Sequence, residues 1–380
     1  MSNGSAQLPF QPMPFQPMSF QPMPFQPKGR GSSLKPQNRF DTVQVEDDFE
    51  QLEFDDDFHA ELRSVPTEYL IDDSRTIVSE NTSPDIPFRY SVNPYRGCLH
   101  GCAYCYARPY HEYLGLNAGI DFETKIYVKL RAAELLSEFL SRPRWQSELI
   151  TFSGVTDCYQ PAERQYRLTR QCLEIALAAR QPVGIITKNA LITRDLDVLR
   201  EMATQNLVRA NVSVTTLNAN LARTMEPRTS TPAARLRAIH LLSAAGVPVN
   251  VMVAPIIPGL NDSEIPAILQ AVSKAGAQHA SMTVLRLPLS VLPVFQDWLA
   301  RTQPHLQEKI ESRIRSCRDG GLNSAKFGER MRGTGKIAEQ IQQTFQVFRN
   351  RYGLNGEFPP LDFSRFRAPD GRKKQLQLFE

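Results

Sequence analysis

The run Asn93-Pro94-Tyr95-Arg96-Gly97-Cys98-Leu99-His100-Gly101-Cys102-Ala103-Tyr104-Cys105-Tyr106 organises the rest of the chain around it. Its cysteines, Cys98, Cys102 and Cys105, are spaced C-x3-C-x2-C. Cysteine thiolates are the ligands of iron–sulfur clusters. Three of them on one loop can hold three irons of a cubane and leave the fourth iron open, and an open position separates a reactive metal site from a structural one. A zinc knuckle completed by His100 or His111 is the competing reading, although zinc patterns usually pair two such units and no second unit follows. Cys172, in a helical pattern, and Cys317, among charged residues, read as unligated thiols.

Outward from the loop, strand-like and helix-like segments alternate. Short Val-, Ile- and Thr-rich runs bounded by turn residues predict strands at 88–94, 148–154, 182–188, 208–216, 247–257 and 279–287. Helical patterns fill 131–141, 162–180, 194–204, 232–245 and 263–274. Pro161 suits a first helical position, Gly246 a helix stop, and Ser263 an N-cap with Glu264 in the first turn. Alternation of this kind implies an α/β fold with a parallel sheet. Six such units make an incomplete barrel or a doubly wound sheet, and in both the active residues gather at the C-terminal ends of the strands. The cysteine loop follows the first of these strands and so belongs to that face.

The chain of 380 residues is 41% hydrophobic and can bury a large core. No apolar run is long enough to span a bilayer, and the N-terminal stretch reads as carrying no secretory signal. Six cysteines without an export signal point to the reducing cytoplasm, where clustered thiols bind metal or react. Residues 8–27 repeat Phe-Gln-Pro-Met/Pro and residues 46–57 hold eight acids and no base, so residues 1–60 are expected to be a disordered tail. Residues 61–300 form the expected catalytic domain, 301–355 a helical C-terminal extension, and 356–380 a flexible tail. The net charge of +4 conceals a basic end, with 16 Lys/Arg against 9 Asp/Glu over residues 301–380, a balance that can attract nucleic acid.

With its aromatic Tyr104 before the last cysteine, the loop resembles the radical S-adenosylmethionine (SAM) superfamily. The fuller run NPYRGCLHGCAYCYAR resembles the branch related to spore photoproduct lyase, a DNA repair enzyme. The likeness extends to TDCYQPAE (156–163), IITKNALITRDLD (185–197), MEPRTSTPAARL (225–236), VAPIIPGLND (253–262) and FGERMRG (327–333). The resemblance implies a partial (βα)6 TIM-type barrel. It also implies that Cys98, Cys102 and Cys105 bind a [4Fe–4S] cluster whose open iron takes SAM. An external reductant such as flavodoxin or ferredoxin then drives SAM cleavage to a 5′-deoxyadenosyl radical.

Strand ends place the SAM contacts implied by the resemblance. Ser153 and Gly154 stand where the superfamily often has a Gly-Gly-Glu turn, a motif this chain lacks. Lys188 ends the third strand and can pair with the SAM carboxylate. Ser213 and Thr215 alternate along the fourth strand and face one side. Glu226 and Arg228 follow, either as ribose and carboxylate contacts or as an ion pair with each other. Tyr104 can shield the cluster or stack on adenine. Cys158, in the polar loop Asp157–Glu163, is a candidate hydrogen-atom donor, with a buried inert thiol as the alternative.

The chain ends Gln375-Leu376-Gln377-Leu378-Phe379-Glu380. QLQLF resembles the bacterial sliding-clamp-binding motif, in which an extended peptide buries its Leu and Phe while its Gln makes hydrogen bonds. Gln375, Leu376, Leu378 and Phe379 are the expected contacts. The leading expectation is a radical SAM enzyme of lyase or repair type acting on DNA beside the clamp. Its competitors are a radical SAM enzyme modifying RNA or another macromolecule, and a non-catalytic, metal-stabilised, clamp-associated nucleic-acid-binding protein.

Overall fold

In the computed structural model, which describes residues 29–40 and 65–369, the strands are β1 (Glu68–Ile71), β2 (Val78–Glu80), β3 (Tyr90–Val92), β4 (Tyr95–Arg96), β5 (Lys125–Val128), β6 (Ile150–Phe152), β7 (Val183–Thr187), β8 (Val208–Ser213), β9 (Val249–Ile256) and β10 (His279–Val284). All six strands expected from the sequence are present, each somewhat shorter than its apolar run. With β2 they form one seven-stranded sheet in the order β10-β9-β8-β7-β6-β3-β2. From β3 to β10 every neighbouring pair is parallel, and β2 joins β3 antiparallel at the edge. The order follows the chain without reversing. Right-handed crossovers then put the connecting helices on one side, whereas a doubly wound sheet reverses at a switch point. The sheet is therefore singly wound. A small sheet, β1-β5-β4, stands apart from it.

Burial on both faces explains the nearly unbroken apolar runs of β7 and β9. Ile185, Val212, Val251 and Ala280 lie in the main core with Leu173, Leu199, Leu242 and Leu269 from the helices. The helix expected over 162–180 is broken into Glu163–Tyr166 and Leu168–Ala178 by Arg167 at φ +53°. The Glu163 carboxylate accepts the N–H groups of Thr169 (3.1 Å) and Arg170 (3.4 Å), so it satisfies donors at the start of the second helix from within the first. Pro161 precedes this pair rather than opening it. Gly246 ends the helix Pro232–Ala244 at φ +79° as expected. Ser263 caps nothing; it sits inside a single 3-10 turn, and Glu264 instead accepts from Thr216 Oγ1 (2.6 Å) and Leu217 N–H (2.8 Å).

Three expected boundaries move. Residue 300 falls inside the helix Val291–Thr302. Helix Gly335–Arg351 buries Ile341 and Phe345 in the main core, so 301–355 is part of the same packed body rather than an appendage. A second core joins Ala103 and Tyr104 of the cysteine loop to Phe295, Trp298, Ile310 and Ile314. Residues 29–40, assigned to a disordered tail, are packed against that loop: Ser32, Ser33 and Asn38 are buried. Residues 356–369, assigned to a flexible tail, run along the opposite rim, where Asp362 N–H bonds Asn206 C=O, Arg367 N–H bonds Ala179 C=O, and Pro369 C=O accepts from Ser141 Oγ. The Phe-Gln-Pro repeat, the acidic run 46–57 and the QLQLF motif lie outside the described residues. Among the described residues no helix is long and apolar enough to cross a membrane.

Candidate active site

The cysteine loop leaves β3 and is fixed from several directions by backbone bonds. Cys98 N–H donates to Phe122 C=O (2.8 Å), Ala103 N–H to Met225 C=O (3.0 Å), and Gly101 and Cys105 N–H close turns onto Cys98 and Cys102. Gln160 bridges the loop, accepting from Leu99 N–H (2.9 Å) and donating to Gly97 C=O (3.1 Å). The strongest anchor is Arg108, wholly buried. Its guanidinium donates to the carbonyls of Gly101 (3.2 Å), Cys102 (3.0 Å), Ala118 (3.0 Å) and Gly119 (2.8 Å) and pairs with the buried Glu123 at 3.0 Å. Glu123 also accepts the N–H groups of Arg30, Gly31 and Ser32, which draws the strap 29–40 over the loop. Gly31 passes so near that a Cβ there would lie 1.7 Å from Gly101 O.

Cys98 and Cys102 are buried, Cys105 is partly open, and all three are free thiols. Burial, then the charges of Asp157 and Cys105, push the Cys98 thiol up to about 12, and burial followed by Glu226 raises that of Cys102 well above the ordinary range. These thiols ionise only when a cation replaces the lost solvation, the usual linkage of metal uptake to proton release. Among the described residues no three His, Cys, Asp or Glu side chains converge tightly enough for one metal ion. A cubane does not need that convergence, because each thiolate binds a different iron. Nor is His100 a free ligand: Asn189 Nδ2 is 3.1 Å from its Nε2 and Asp157 is 3.4 Å from its Nδ1. The donor set of the loop therefore fits a three-cysteine cluster.

Beside the loop lies a buried polar group built from the ends of β7 and β8. Glu226 accepts from the Tyr104 hydroxyl and from Thr215 Oγ1 (2.7 Å), and pairs with the buried Arg235. Burial alone would raise the Glu226 carboxyl. Arg235, Lys188 and the two hydroxyls more than offset that and hold it down at about 2. Arg235 also donates to the carbonyls of Ser213 (3.1 Å) and Ser230 (2.8 Å). Lys188 follows β7, its Nζ 5.8 Å from the Tyr104 ring centroid. Burial opposes its charge, but Cys102 and Glu226 outweigh burial and raise its pKa. Among the described residues Lys188 makes no ion pair.

Tyr104, Lys188, Thr215 and Glu226 are thus brought together beside Cys102, and Ser213 is buried next to them through Arg235. Arg228 is not part of this group. It is exposed, and the ion partner of Glu226 is Arg235. Ser153 (φ +90°) and Gly154 (φ +133°) form a sharp turn after β6, with Ser153 Oγ donating to Ile186 C=O (2.7 Å) and the Tyr106 hydroxyl donating to Gly154 C=O. Cys158 donates its N–H to Ser153 Oγ (3.1 Å), but its side chain is fully buried in the main core, where burial raises its thiol well above the ordinary range.

Sequence reasoning missed Arg108, Glu123 and Arg235. For Arg235 a signal existed: it shares the spacing of Ala238, Ile239 and Leu242, the buried face of its helix. A charged residue on a core face demands a buried partner.

Comparison with known proteins supports this reading. Residues 92–272 match the radical SAM superfamily. An uncharacterized protein of Mycobacterium tuberculosis is 41% identical over 232 residues, which cover 60% of this chain and 68% of that protein. One from Methanocaldococcus jannaschii is 28% identical over 176 residues, 46% of this chain and 63% of that protein. Spore photoproduct lyase with bound AdoMet and dinucleoside spore photoproduct has a like fold, with a TM-score of 0.55 and 16% identity over 76% of this chain and 84% of that one.

Proposed function

The chain belongs to the radical SAM superfamily, whose members use a [4Fe–4S] cluster and SAM, and we propose that Cys98, Cys102 and Cys105 hold that cluster at the mouth of a partial (βα)6 barrel. The observation that carries this reading is the loop itself, with its three free thiols pinned by Arg108 beside Lys188 and the Glu226 group. When bound, cluster and cofactor supply reductive cleavage of the sulfonium to a 5′-deoxyadenosyl radical, with the electron coming from a flavodoxin- or ferredoxin-type donor. The chain's own work is to bind, orient and exclude water.

Lys188 is the cation for the SAM carboxylate, since it faces the loop without an ion partner among the described residues. Ser153 and Gly154 offer backbone to the methionine end from their left-handed turn. Tyr104 walls the site, its hydroxyl fixed by Glu226, and Thr215, Ser213 and Arg235 hold Glu226 in place. We give Arg228 a place at the exposed rim rather than a cofactor contact. Cys158 is held protonated, as a hydrogen-atom donor must be, but it lies in the core, which favours the inert-thiol reading. Lys188→Met is expected to weaken SAM binding about 10- to 100-fold, the worth of one charged hydrogen bond, while leaving cluster absorbance unchanged. Equilibrium SAM titration of the reconstituted variant checks this, and wild-type affinity would remove Lys188 from the site.

The substrate we propose is DNA, most simply a damaged base, with the enzyme in the cytoplasm and recruited by the sliding clamp. Supporting this are the dinucleoside ligand of a protein with a like fold and the QLQLF motif. Leu378→Ala with Phe379→Ala should weaken clamp binding on the order of 100-fold or more, as loss of two anchor residues does. Undiminished binding to immobilised clamp would remove the QLQLF tail as the clamp contact.

A further inference from the structure

Four aromatic rings are left in the open beside the cysteine loop. Phe40 is 54% exposed, Tyr113 66%, Tyr110 54% and Tyr106 48%. They form a row. Phe40 and Tyr113 have ring centroids 5.2 Å apart, and Tyr113 and Tyr110 6.4 Å. The Arg39 guanidinium lies 4.8 Å from the Phe40 centroid and 5.0 Å from that of Tyr113, and is held there by Glu112 at 3.0 Å. At the other end Arg286, just past β10, stands 6.0 Å from the Tyr106 ring centroid. Tyr106 lies four residues before Tyr110, just ahead of the 3-10 helix Arg108–Leu114 that carries Tyr110 and Tyr113. The row starts on the strap 29–40 and ends at Tyr106, whose hydroxyl reaches Gly154 at the candidate site.

Two features of this row call for a ligand. Contiguous exposed aromatic surface marks an interaction site more often than scattered apolar residues do. Arg286 also makes no ion pair among the described residues: its Nη1 meets only Met331 Sδ at 3.6 Å, and its Nε is buried with no hydrogen-bond partner. Burial and then the like charge of Arg330 lower its pKa, and Asp85, which opposes them, is ion-paired with Arg330. An anion at this point would supply what the protein does not.

We propose that this row is a track for an unpaired nucleic-acid strand, its bases stacked on Phe40, Tyr113 and Tyr110 and a phosphate held by Arg286, leading to the cysteine loop. The proposal rests on the reading of that face as the active site. Aromatic faces joined to arginine cations are how proteins hold single strands without reading sequence, since every base has a π-face to offer. A duplex hides those faces in its own stack. An apolar protein segment would leave Arg286 and the hydroxyls of Tyr110 and Tyr113 without partners. Arg39 is already neutralised by Glu112 and serves to stiffen the rings.

The test uses the full chain, cluster assembled anaerobically, with fluorescence anisotropy of a labelled oligothymidylate and of a duplex of equal length. The single strand should bind more tightly than the duplex. Tyr110→Ala with Tyr113→Ala should weaken strand binding about tenfold or more per ring. Tyr110→Phe with Tyr113→Phe, which keeps the stacking faces, should retain it. Arg286→Gln should lower the slope of log K against log salt by about 0.7, the share of one phosphate on a single strand. Equal affinity for strand and duplex, or an alanine pair that binds as the wild type does, overturns the proposal. Release of 5′-deoxyadenosine, measured on the same samples, keeps the two ideas apart: its absence with intact strand binding counts against the radical SAM reading of the site and leaves the track standing.

Discussion

Serine in place of Cys98, Cys102 or Cys105 should abolish reductive SAM cleavage altogether. Each thiolate holds one iron of the proposed cluster. His100 is engaged by Asn189 and Asp157, Cys158 is buried in the main core, and Cys172 and Cys317 lie in other helical segments. The exchange of sulfur for oxygen is nearly isosteric, so the fold should survive it. Folding and catalysis then separate cleanly: the variant unfolds near the wild-type denaturant midpoint, lacks the visible charge-transfer bands of the cluster, and releases no 5′-deoxyadenosine. Retention of the bands and of product release in any of the three variants would remove that cysteine from the cluster.

The second large effect is expected at a residue that touches no cofactor. Arg108→Ala removes a guanidinium that binds four carbonyls and Glu123 at once. It leaves the Glu123 carboxylate buried without its cation. Breaking a buried pair from one side costs about 3–5 kcal/mol, a large share of the roughly 5–15 kcal/mol that stabilises a domain. The loss is concentrated where the cysteine loop, the strap 29–40 and the helix Ile120–Thr124 meet. The variant should therefore lose denaturant stability and also take up less iron on reconstitution, even under conditions where it remains folded. Arg108→Lys should not rescue it, because one ammonium cannot span the fork of acceptors. A variant with wild-type midpoint and iron content would show that the loop does not depend on this anchor.

The sequence made the sheet legible because parallel strands buried on both faces are written as short apolar runs, and all six were found. It also marked the cluster loop, since three cysteines at fixed spacing are rare. Whether the sheet was singly or doubly wound could not be read from it, because strand order is a long-range property that no local pattern encodes. The buried ions were hidden for a different reason. Glu226 was paired by proximity in sequence with Arg228, two residues away, whereas the fold supplies Arg235 from the next helix. Arg108 and Glu123 meet across a turn and a short helix and obey no spacing rule. The strap at 29–40 followed a proline-rich tract and was assigned to the same tail. Its small residues, Gly31 and Ser32, are what let it pass close to Gly101 and Glu123.

We propose that this face performs radical SAM chemistry on DNA. The most direct test is anaerobic incubation of the reduced, reconstituted protein with SAM and ultraviolet-irradiated single-stranded DNA, with mass spectrometry of both the nucleoside pool and 5′-deoxyadenosine. Reductant-dependent 5′-deoxyadenosine formation is expected together with loss of a photoproduct, both absent from the Cys98→Ser protein. A fully loaded cluster that forms no 5′-deoxyadenosine and leaves every nucleoside unchanged would contradict it.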